Sequence, residues 1–488
     1  MESLWTRTSD TAARPPLYGD TEAEVAVIGG GMAGILTALL LHERGLRTVV
    51  LEAERVGAGQ TCDTTAKLTS QHGAIYAELL ERFGREKAQM YADANQRAIQ
   101  SYRRLIEKYG IDCDFEQTDA ILYSHAHEDA MRREAEAAVS LRLPASFTTH
   151  LSLPFRISGA VRFTGQAQFH PLKLLYPLAD LLTVYERTPV ERVQGHCLIT
   201  PRGRVSAEKI VFACHYPFVN FPGLYFARMH QERSYVLALE NAALPDGMYY
   251  GYEPYAYSLR SYDGRVLLGG GGHRTGENPD GGRYRELREA AKILFPDSRE
   301  VAHWSAQDCM TASGVPYIGR FSRKNPDFFV ATGFRKWGMS SSMAAAEILT
   351  GLICDGGHAD AAIFDPTAAE QQRADKIASE GAHAVRGLAH RLFHGESPLP
   401  EELPVGHGGA ALVDGKQMGV YRASETEYYA VELRCPHLGC RLEWNPDEKS
   451  WDCPCHGSRF DFRGNRLSAP AQTSLQSCKL PPRPETQA

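Results

Sequence analysis

The sequence predicts an α/β fold over residues 22–365, a helical linker over 366–398 and a small all-β domain over 400–482. Three observations lead to this order. A glycine-rich turn lies between a short apolar strand and an apolar helix near the start of the chain. Strand-like segments occur among amphipathic helices through the middle. Beyond residue 400, short strand patterns flank two loops that are rich in cysteine, proline and glycine.

The first element carries a dinucleotide-binding motif. Residues 25–28 form an apolar strand, and Gly29, Gly31 and Gly34 follow in G-x-G-x-x-G spacing at the start of an apolar helix. The first glycine permits a tight turn, the second lets the backbone approach a pyrophosphate, and the third lets helix and strand pack closely. The N–H groups at the helix N-terminus are available to phosphate oxygens.

Glu52 completes the motif. It closes a second apolar strand, residues 48–51, and lies about 20 residues after the glycines, where an acid meets a ribose hydroxyl. The sequence therefore predicts a Rossmann-type dinucleotide site. The expected contacts are Gly29, Gly31, Met32, Ala33, Gly34, Glu52 and Ala53.

Length, charge and composition limit the functional classes to which the protein can belong. The 488 residues allow about two to four domains, and the net charge of −6 gives no basic surface for nucleic acid. The uncharged run over 25–41 approaches the length of a membrane span, but its glycines and the charges that follow argue against one. The N-terminus shows no secretory signal. Six of the 11 cysteines are scattered, which favours a reducing, cytoplasmic location.

The middle of the chain mixes helices with strands. The hydroxyl-rich loop over 57–73 should lie against a cofactor. We expect helices at 75–110, at 128–141 and after Pro171, and strands at 120–123, 160–163, 205–213 and within 233–270. This pattern predicts a second, sheet-based layer interleaved with the nucleotide fold. A turn at 314–319, a strand at 328–332 and a glycine-flanked helix start at 333–340 then return to the cofactor.

In these segments the chain resembles the FAD-dependent D-amino-acid-oxidase superfamily, which includes glycine, sarcosine and gamma-glutamylputrescine oxidases. The motifs that carry the resemblance are VIGGGMAG…VVLE, GAGQTCDTTAK, FHPLKLL, LLGGGGHRTG, SGVPYIGR and VATGFRKWGMSS, in the order of the family. The resemblance implies that the dinucleotide is FAD. It implies nucleotide-binding parts near 22–75, 185–220 and 310–365, with an antiparallel-sheet substrate domain mostly between them.

The resemblance also implies flavin contacts. The loop around Thr64 would border the isoalloxazine ring, and the helix after Gly338 would point its positive end at the flavin N1/O2 edge, where it stabilises the reduced anionic flavin. The implied contacts are Thr61, Thr64, Thr65, Lys67, Val190, Gly333, Lys336, Trp337, Gly338 and Met339.

The substrate pocket departs from the pattern of the family. Members that bind an amino-acid carboxylate often carry an arginine shortly before the G-x-P-x-I-G segment, and Gln307 occupies that place here. An amino-acid substrate is therefore in question, and no catalytic residue is assigned. The pocket candidates, for which packing or surface roles are equally open, are Lys67, Tyr255, Tyr257, Arg260 and Lys336.

The tail predicts a second redox centre. Cys435 and His437, then Cys453 and His456, form a C-x-H…C-x-x-H pattern in two loops. Two thiolates on one iron and two imidazoles on the other make a Rieske [2Fe–2S] centre, with a potential of roughly −150 to +300 mV. Tetrahedral zinc accepts the same four ligands and is the alternative.

The flanking loops CPHLGC and CPCHGS resemble Rieske domains over residues 400–482. The resemblance implies that Cys440 and Cys455 form a disulfide between the loops. It also implies that Ser458 donates a hydrogen bond to the cluster. Phe460 stands where high-potential members often carry tyrosine, so the lost hydroxyl predicts a potential below respiratory values.

Together the two resemblances imply an FAD-dependent oxidoreductase. We expect it to dehydrogenate a C–N bond of a small amine or amino-acid-like substrate. Electrons would then pass between FAD and the cluster to an external acceptor or donor, either a protein or a quinone. Two alternatives remain: an electron-transfer (reductase) component that serves a separate oxygenase, and a non-catalytic redox sensor.

Overall fold

The computed structural model describes residues 2–368 and 398–480. The predicted helical linker over 366–398 therefore lies almost entirely outside the described residues. Among the residues described, no helix combines the length and apolar character needed to cross a membrane.

The glycine-rich turn follows the carboxyl end of a central strand in an eight-stranded sheet that is mainly parallel. Its strand order is Tyr317–Ser322, Asn325–Thr332, Gly203–Phe212, Thr21–Ile28, Thr48–Leu51, Thr183–Tyr185. The strands Arg192–Gln194 and Cys197–Thr200 extend it as a hairpin beside Gly203–Phe212. The carboxyl-terminal halves of the central strands, residues 25–28, 49–51 and 210–212, are apolar, and all of their residues are inside the core because both faces of the sheet are covered there.

Two helices pack against this sheet, Met32–Glu43 and Gly338–Cys354, and most of their residues are buried. Their N-termini lie at the carboxyl ends of the parallel strands, where ligands bind in open α/β sheets. The remaining helices are Leu4–Arg7, Gln60–Asp63, Tyr76–Tyr109, Glu128–Ser140, Pro171–Asp180, Arg283–Leu294 and Ala361–Phe364.

A nine-stranded sheet forms the second layer and is antiparallel apart from one strand pair. Its strands come from several separated stretches of the chain, so the two layers are interleaved as expected. They are Lys67–Leu68, Glu116–Ser124, Ala145–Thr148, Gly159–Gln168, Met229–Glu240, Met248–Gly251, Ser258–Tyr262, Arg265–Arg274 and Arg299–Thr311.

The tail folds as two four-stranded antiparallel sheets, which confirms its all-β class. One sheet contains Gly408–Val413, Lys416–Arg422, Tyr428–Val431 and Ser477–Leu480. The other contains Glu443–Asn445, Ser450–Asp452, Arg459–Asp461 and Arg466–Ser468. Trp451 and Phe460 are fully buried between them and the two cysteine-rich loops.

Two local predictions need correction. The expected turn at 314–319 is a turn only in its first half, because Tyr317 and Ile318 are apolar, fully buried and paired in the strand Tyr317–Ser322. The expected helix at 75–110 is interrupted at Gly84, whose φ of +75° lies outside the helical region.

Candidate functional site

One cavity of about 790 Å³ extends from the glycine-rich turn to the tail domain. Sixteen of the seventeen cofactor contacts expected from the sequence line it. They are Gly29, Gly31, Met32, Ala33, Glu52, Ala53, Thr61, Thr64, Thr65, Lys67, Val190, Gly333, Lys336, Trp337, Gly338 and Met339. Gly34 is the exception: a Cβ there would stand 1.9 Å from the Gly29 carbonyl oxygen, so its role is close packing of helix on strand.

The turn itself requires glycine. Gly29 has a φ of +111°, and a Cβ there would stand 2.5 Å from the carbonyl oxygen of Ala213 on the neighbouring strand segment. Glycine therefore lets the turn pass close to this segment, and the turn brings the N-terminus of the helix Met32–Glu43 to the cavity wall, where it can bind a phosphate.

Glu52 is held in place by main-chain donors. Its two carboxylate oxygens accept hydrogen bonds from the N–H groups of Gly30, at 2.6 Å, and Glu54, at 2.8 Å. Burial raises its pKa. A carboxylate has about four acceptor positions, so two remain for ribose hydroxyls at the cavity wall.

The loop beyond Glu52 is fixed from behind. Trp5 donates to the carbonyl oxygen of Thr64 at 2.6 Å, and Arg260 donates to those of Thr65, at 2.5 Å, and Ala66, at 2.9 Å. The hydroxyl-bearing face of the loop is thereby turned to the cavity. This arrangement fits the predicted border of a flavin ring.

Of the five pocket candidates, Lys67 and Lys336 line the cavity and three do not. Arg260 is 1% exposed and lies beneath the cofactor loop, where its role is structural. Tyr255 is 69% exposed on the surface, and Tyr257 is half-buried outside the cavity wall. Both tyrosines lie in the loop between the strands Met248–Gly251 and Ser258–Tyr262, and of the roles left open for them the structure gives a surface role to Tyr255.

The two lysines differ in their surroundings. Lys67 donates to the carbonyl oxygen of Tyr249 at 2.9 Å and to the Ser258 hydroxyl, and burial lowers its pKa to about 7. Lys336 lies between two acids that the sequence reasoning missed, with its ammonium 3.4 Å from Glu232 and 3.5 Å from Asp308.

The two carboxylates and Lys336 shift the pKa values of one another. Burial would lower the pKa of Lys336, but Asp308 and Glu232 outweigh it and raise that pKa. Burial would likewise raise the pKa of Glu232, but His230 and Lys336 lower it to about 2. No motif marks the acids in the sequence; strand pairing brings them to the lysine.

Next to Lys336, the helix Gly338–Cys354 begins at the cavity wall. Its first-turn N–H groups and positive dipole end suit an anionic or electron-rich group. His72 joins the cofactor loop to this helix. Its ring nitrogens are hydrogen-bonded to the hydroxyl groups of Tyr91 and Ser340, and its ring stacks on Trp337.

The four expected cluster ligands come together in pairs. The thiols of Cys435 and Cys453 are hydrogen-bonded to each other, and the rings of His437 and His456 lie 4.8 Å apart. In residues 2–368 and 398–480, the buried Nδ1 atom of His437 has no hydrogen-bond partner. Two adjacent thiols and an available imidazole nitrogen fit an iron–sulfur cluster with mixed ligands.

The expected disulfide between Cys440 and Cys455 is present and joins the two loops. Cys440, Cys453 and Cys455 bring three sulfurs within 4.8 Å of one another. Since two of these are bonded to each other, this group is not itself a metal site.

Buried ionic contacts fix the tail domain against the nine-stranded sheet. Glu448 accepts hydrogen bonds from Arg459 at 2.8 Å, Ser305 at 2.6 Å and Tyr284 at 3.1 Å, and it pairs with Arg233. The tail also supplies Arg459 and residues 466–472 to the cavity wall.

The sequence of the chain matches two described families. Residues 24–352 match the FAD dependent oxidoreductase (DAO) family, and residues 398–479 match the Rieske [2Fe-2S] domain. The chain belongs to the DAO family of FAD-dependent oxidoreductases. It carries a C-terminal Rieske domain, and its cofactors are FAD and a [2Fe–2S] cluster, as the sequence predicted.

Three relatives illustrate the similarity. The chain is 34% identical to the Rieske 2Fe-2S iron-sulfur protein YhfW of Bacillus subtilis (strain 168), over 98% of both chains. It is 24% identical to the gamma-glutamylputrescine oxidoreductase of Escherichia coli (strain K12), over 70% of this chain and 85% of that one. It shares its fold with the L-proline dehydrogenase of P. horikoshii, with a TM-score of 0.60 and 18% identity over 72% of this chain and 98% of that one.

Proposed function

We propose that this DAO-family oxidoreductase dehydrogenates a C–N bond of a small amine or amino-acid-like substrate. The electrons then pass between FAD and the Rieske cluster to an external partner, a protein or a quinone. When bound, FAD accepts two electrons as a hydride equivalent, and the cluster carries one electron at a time.

The observation that carries the proposal is the shared cavity. Its wall is built both from the dinucleotide-binding elements and from residues 466–472 of the Rieske domain. A Rieske domain attached only by a tether would leave this wall open. A wall shared by the flavin elements and the Rieske domain supports transfer from one redox site to the other.

The contacts of the chain supply the remaining requirements. The N-terminus of Gly338–Cys354 stabilises negative charge at the cavity. The Rieske residues Arg459 and 466–472 exclude water from one side of it. A carrier of single electrons has no task in a simple oxidase that hands electrons to oxygen, so we favour a dehydrogenase.

The acids beside Lys336 favour a cationic substrate group at that part of the wall. Glu232 and Asp308 place two carboxylates around the one ammonium of Lys336, whereas Arg335, Arg459 and Arg466 bring positive charge to other parts of the wall. Gln307 is neutral where a carboxylate-binding arginine was expected. The relative from E. coli is named for an amine substrate, gamma-glutamylputrescine, which supports the same class.

We also propose a cytoplasmic location. In the described residues, Cys440 and Cys455 are disulfide-bonded, Cys435 and Cys453 are the expected cluster ligands, and the other seven cysteines are free. Free thiols on this scale are typical of a reducing compartment. A disulfide beside the cluster, buried from solvent, is compatible with it.

An anaerobic substrate screen tests the proposal. Amines and amino acids are added to the holoprotein, and flavin bleaching is followed together with the EPR signal of the reduced cluster. Cys453→Ser is the control, since it should lose the cluster but keep the flavin. The expected result is a substrate that bleaches the flavin in both proteins and produces the EPR signal only in the wild type. Equal, rapid turnover of both proteins with oxygen would overturn the proposal.

A further inference from the structure

The second cluster loop, residues 453–458, is contacted by the DAO domain through its main-chain carbonyl groups. Gln231 donates its side-chain amide to the carbonyl oxygen of His456 at 2.7 Å. Gln307 donates its side-chain amide to the carbonyl oxygen of Gly457 at 2.7 Å. Two consecutive carbonyl groups of the loop are thus bound by two glutamines from the other domain.

The two glutamines act from one surface. They lie on the neighbouring antiparallel strands Met229–Glu240 and Arg299–Thr311, in a register that makes them diagonal neighbours. Diagonal neighbours point to the same face of a sheet and are within reach of a common partner. Both side chains also line the cavity.

Gly457 shows how closely the loop is seated. It has a φ of +81°, and a Cβ there would stand 2.6 Å from Cβ of Gln231 and 2.8 Å from Nε2 of Gln307. The left-handed turn and the approach of both amides therefore need glycine. Loop and glutamines fit each other from both sides of the domain boundary.

Gln307 is itself oriented. Its main-chain N–H donates to the side-chain oxygen of Gln60 at 2.9 Å, and its own Oε1 accepts from Arg233 and Ser468, each at 3.4 Å. Gln60 begins the short helix that carries Thr61 of the cofactor loop. A continuous hydrogen-bonded connection therefore runs from the cofactor loop through Gln307 to the cluster loop.

The first cluster loop has a different environment. His437 is half-buried, and its Nε2 atom is 2.9 Å from Oδ1 of Asn220. Pro436 and Leu438 on either side of it are exposed, Leu438 by 41%. His456, in contrast, is only 3% exposed. Asn220 belongs to the DAO domain, and so does Phe226, whose ring meets the His456 ring edge-on at 5.9 Å. Both histidines therefore face the DAO domain, and His456 is the more deeply buried of the two.

We propose that Gln231 and Gln307 are positioning residues that hold the His456 edge of the cluster toward the cavity, for electron exchange with the flavin. The inference rests on the proposed function and adds the route. Each transfer moves one electron and no atoms. The two electrons of one substrate oxidation therefore cross in turn and leave to an external one-electron acceptor.

Attachment of the domain does not depend on these two amides. Across the same interface, Glu448 of the Rieske domain pairs with Arg233 and accepts hydrogen bonds from Ser305 and Tyr284 of the DAO domain. Removing the glutamine donors should therefore loosen the loop without releasing the domain.

The test uses the holoprotein with Gln231→Met and Gln307→Met, singly and together, because methionine keeps the length of the side chain and removes the donor. Gln168→Met is the matched control: this glutamine is buried in the same sheet, and its amide donates to Glu116, away from the Rieske domain. A photochemical donor reduces the flavin in a flash, and cluster reduction is followed by absorbance. Hydrogen–deuterium exchange reports the amides of residues 455–458, and iron analysis reports cluster content.

We expect the double variant to keep its iron, to exchange the loop amides faster and to reduce the cluster about 10-fold to 100-fold more slowly than wild type, as small misplacements do in redox and catalytic sites. The single variants should show smaller changes of the same sign, and they decide the question if the double variant loses iron. If the variants reduce the cluster and exchange the loop amides at wild-type rates, this inference is overturned, whereas the proposed function stands. No flavin-to-cluster transfer in the wild type would overturn the proposed function and the inference with it.

Discussion

Glu448→Ala is the substitution that most directly tests how the two domains are joined. The Glu448 side chain is 7% exposed and accepts hydrogen bonds from Arg233, Arg459, Ser305 and Tyr284. Its removal leaves two arginines buried at the boundary with fewer partners. Asp452 still pairs with one of them, at 3.0 Å.

The size of the effect follows from two arguments. Removing one partner from a buried ion pair costs about 3–5 kcal/mol, because the remaining charge stays desolvated. Burial would raise the pKa of Glu448, but Arg233 and Arg459 outweigh it and lower the pKa from 4.5 to about 2. That difference corresponds to about 3 kcal/mol of stability, present above pH 4.5 and lost as the pH falls toward 2.

The assay is urea unfolding of the holoprotein, followed by circular dichroism of the cluster and by flavin fluorescence. We expect Glu448→Ala to move the urea midpoint of the cluster transition down by the equivalent of about 3 kcal/mol. The midpoint of Glu448→Gln should lie between those of the wild type and Glu448→Ala. Glu427→Ala is the matched control, because Glu427 forms an exposed pair with Lys479 in the same domain. A Glu448→Ala midpoint equal to that of the control would refute the reasoning.

Three further results are expected. Gly29→Ala should lose the flavin, because the methyl group of the alanine would stand 2.5 Å from the Ala213 carbonyl oxygen. Gly357→Ala is the control and should retain the flavin, because the space around Gly357 is open. The measurement is the ratio of flavin to protein in the purified variants. Phe460→Tyr should raise the cluster potential in an EPR redox titration, since a hydroxyl donor to sulfur favours the reduced cluster; an unchanged or lower value would contradict this. Lys67→Met should flatten the pH dependence of Tm. Burial lowers the pKa of Lys67 from 10.5 to about 7, so the unfolded chain binds a proton there more tightly than the folded chain. The wild type therefore loses stability as the pH falls from about 10.5 to about 7. An equal slope of Tm against pH in both proteins would contradict this.

Particular residues show how far sequence reasoning reached into the site. Gln307 was noticed only as a missing arginine, and the structure gives it a partner in the cluster loop. Arg260 was a pocket candidate because of its charge, yet it binds main-chain carbonyl groups beneath the cofactor loop. Tyr255 was a candidate because aromatic residues crowd that stretch, yet its ring is on the surface. Residue type alone did not decide which side of a strand faces the cavity.

The sequence by itself determined the two cofactor sites, because each is built from residues close together in the chain. The G-x-G-x-x-G turn and Glu52 belong to one strand–helix–strand unit, and each cluster loop places its cysteine and histidine within a few residues. Only the tertiary structure decided how the sites are joined. The contact of Glu232 with Lys336, the ion pair of Glu448 with Arg233 and the glutamine contacts to the cluster loop each connect residues more than 100 positions apart. Such contacts depend on strand register and on the packing of one domain against the other, which local patterns do not specify.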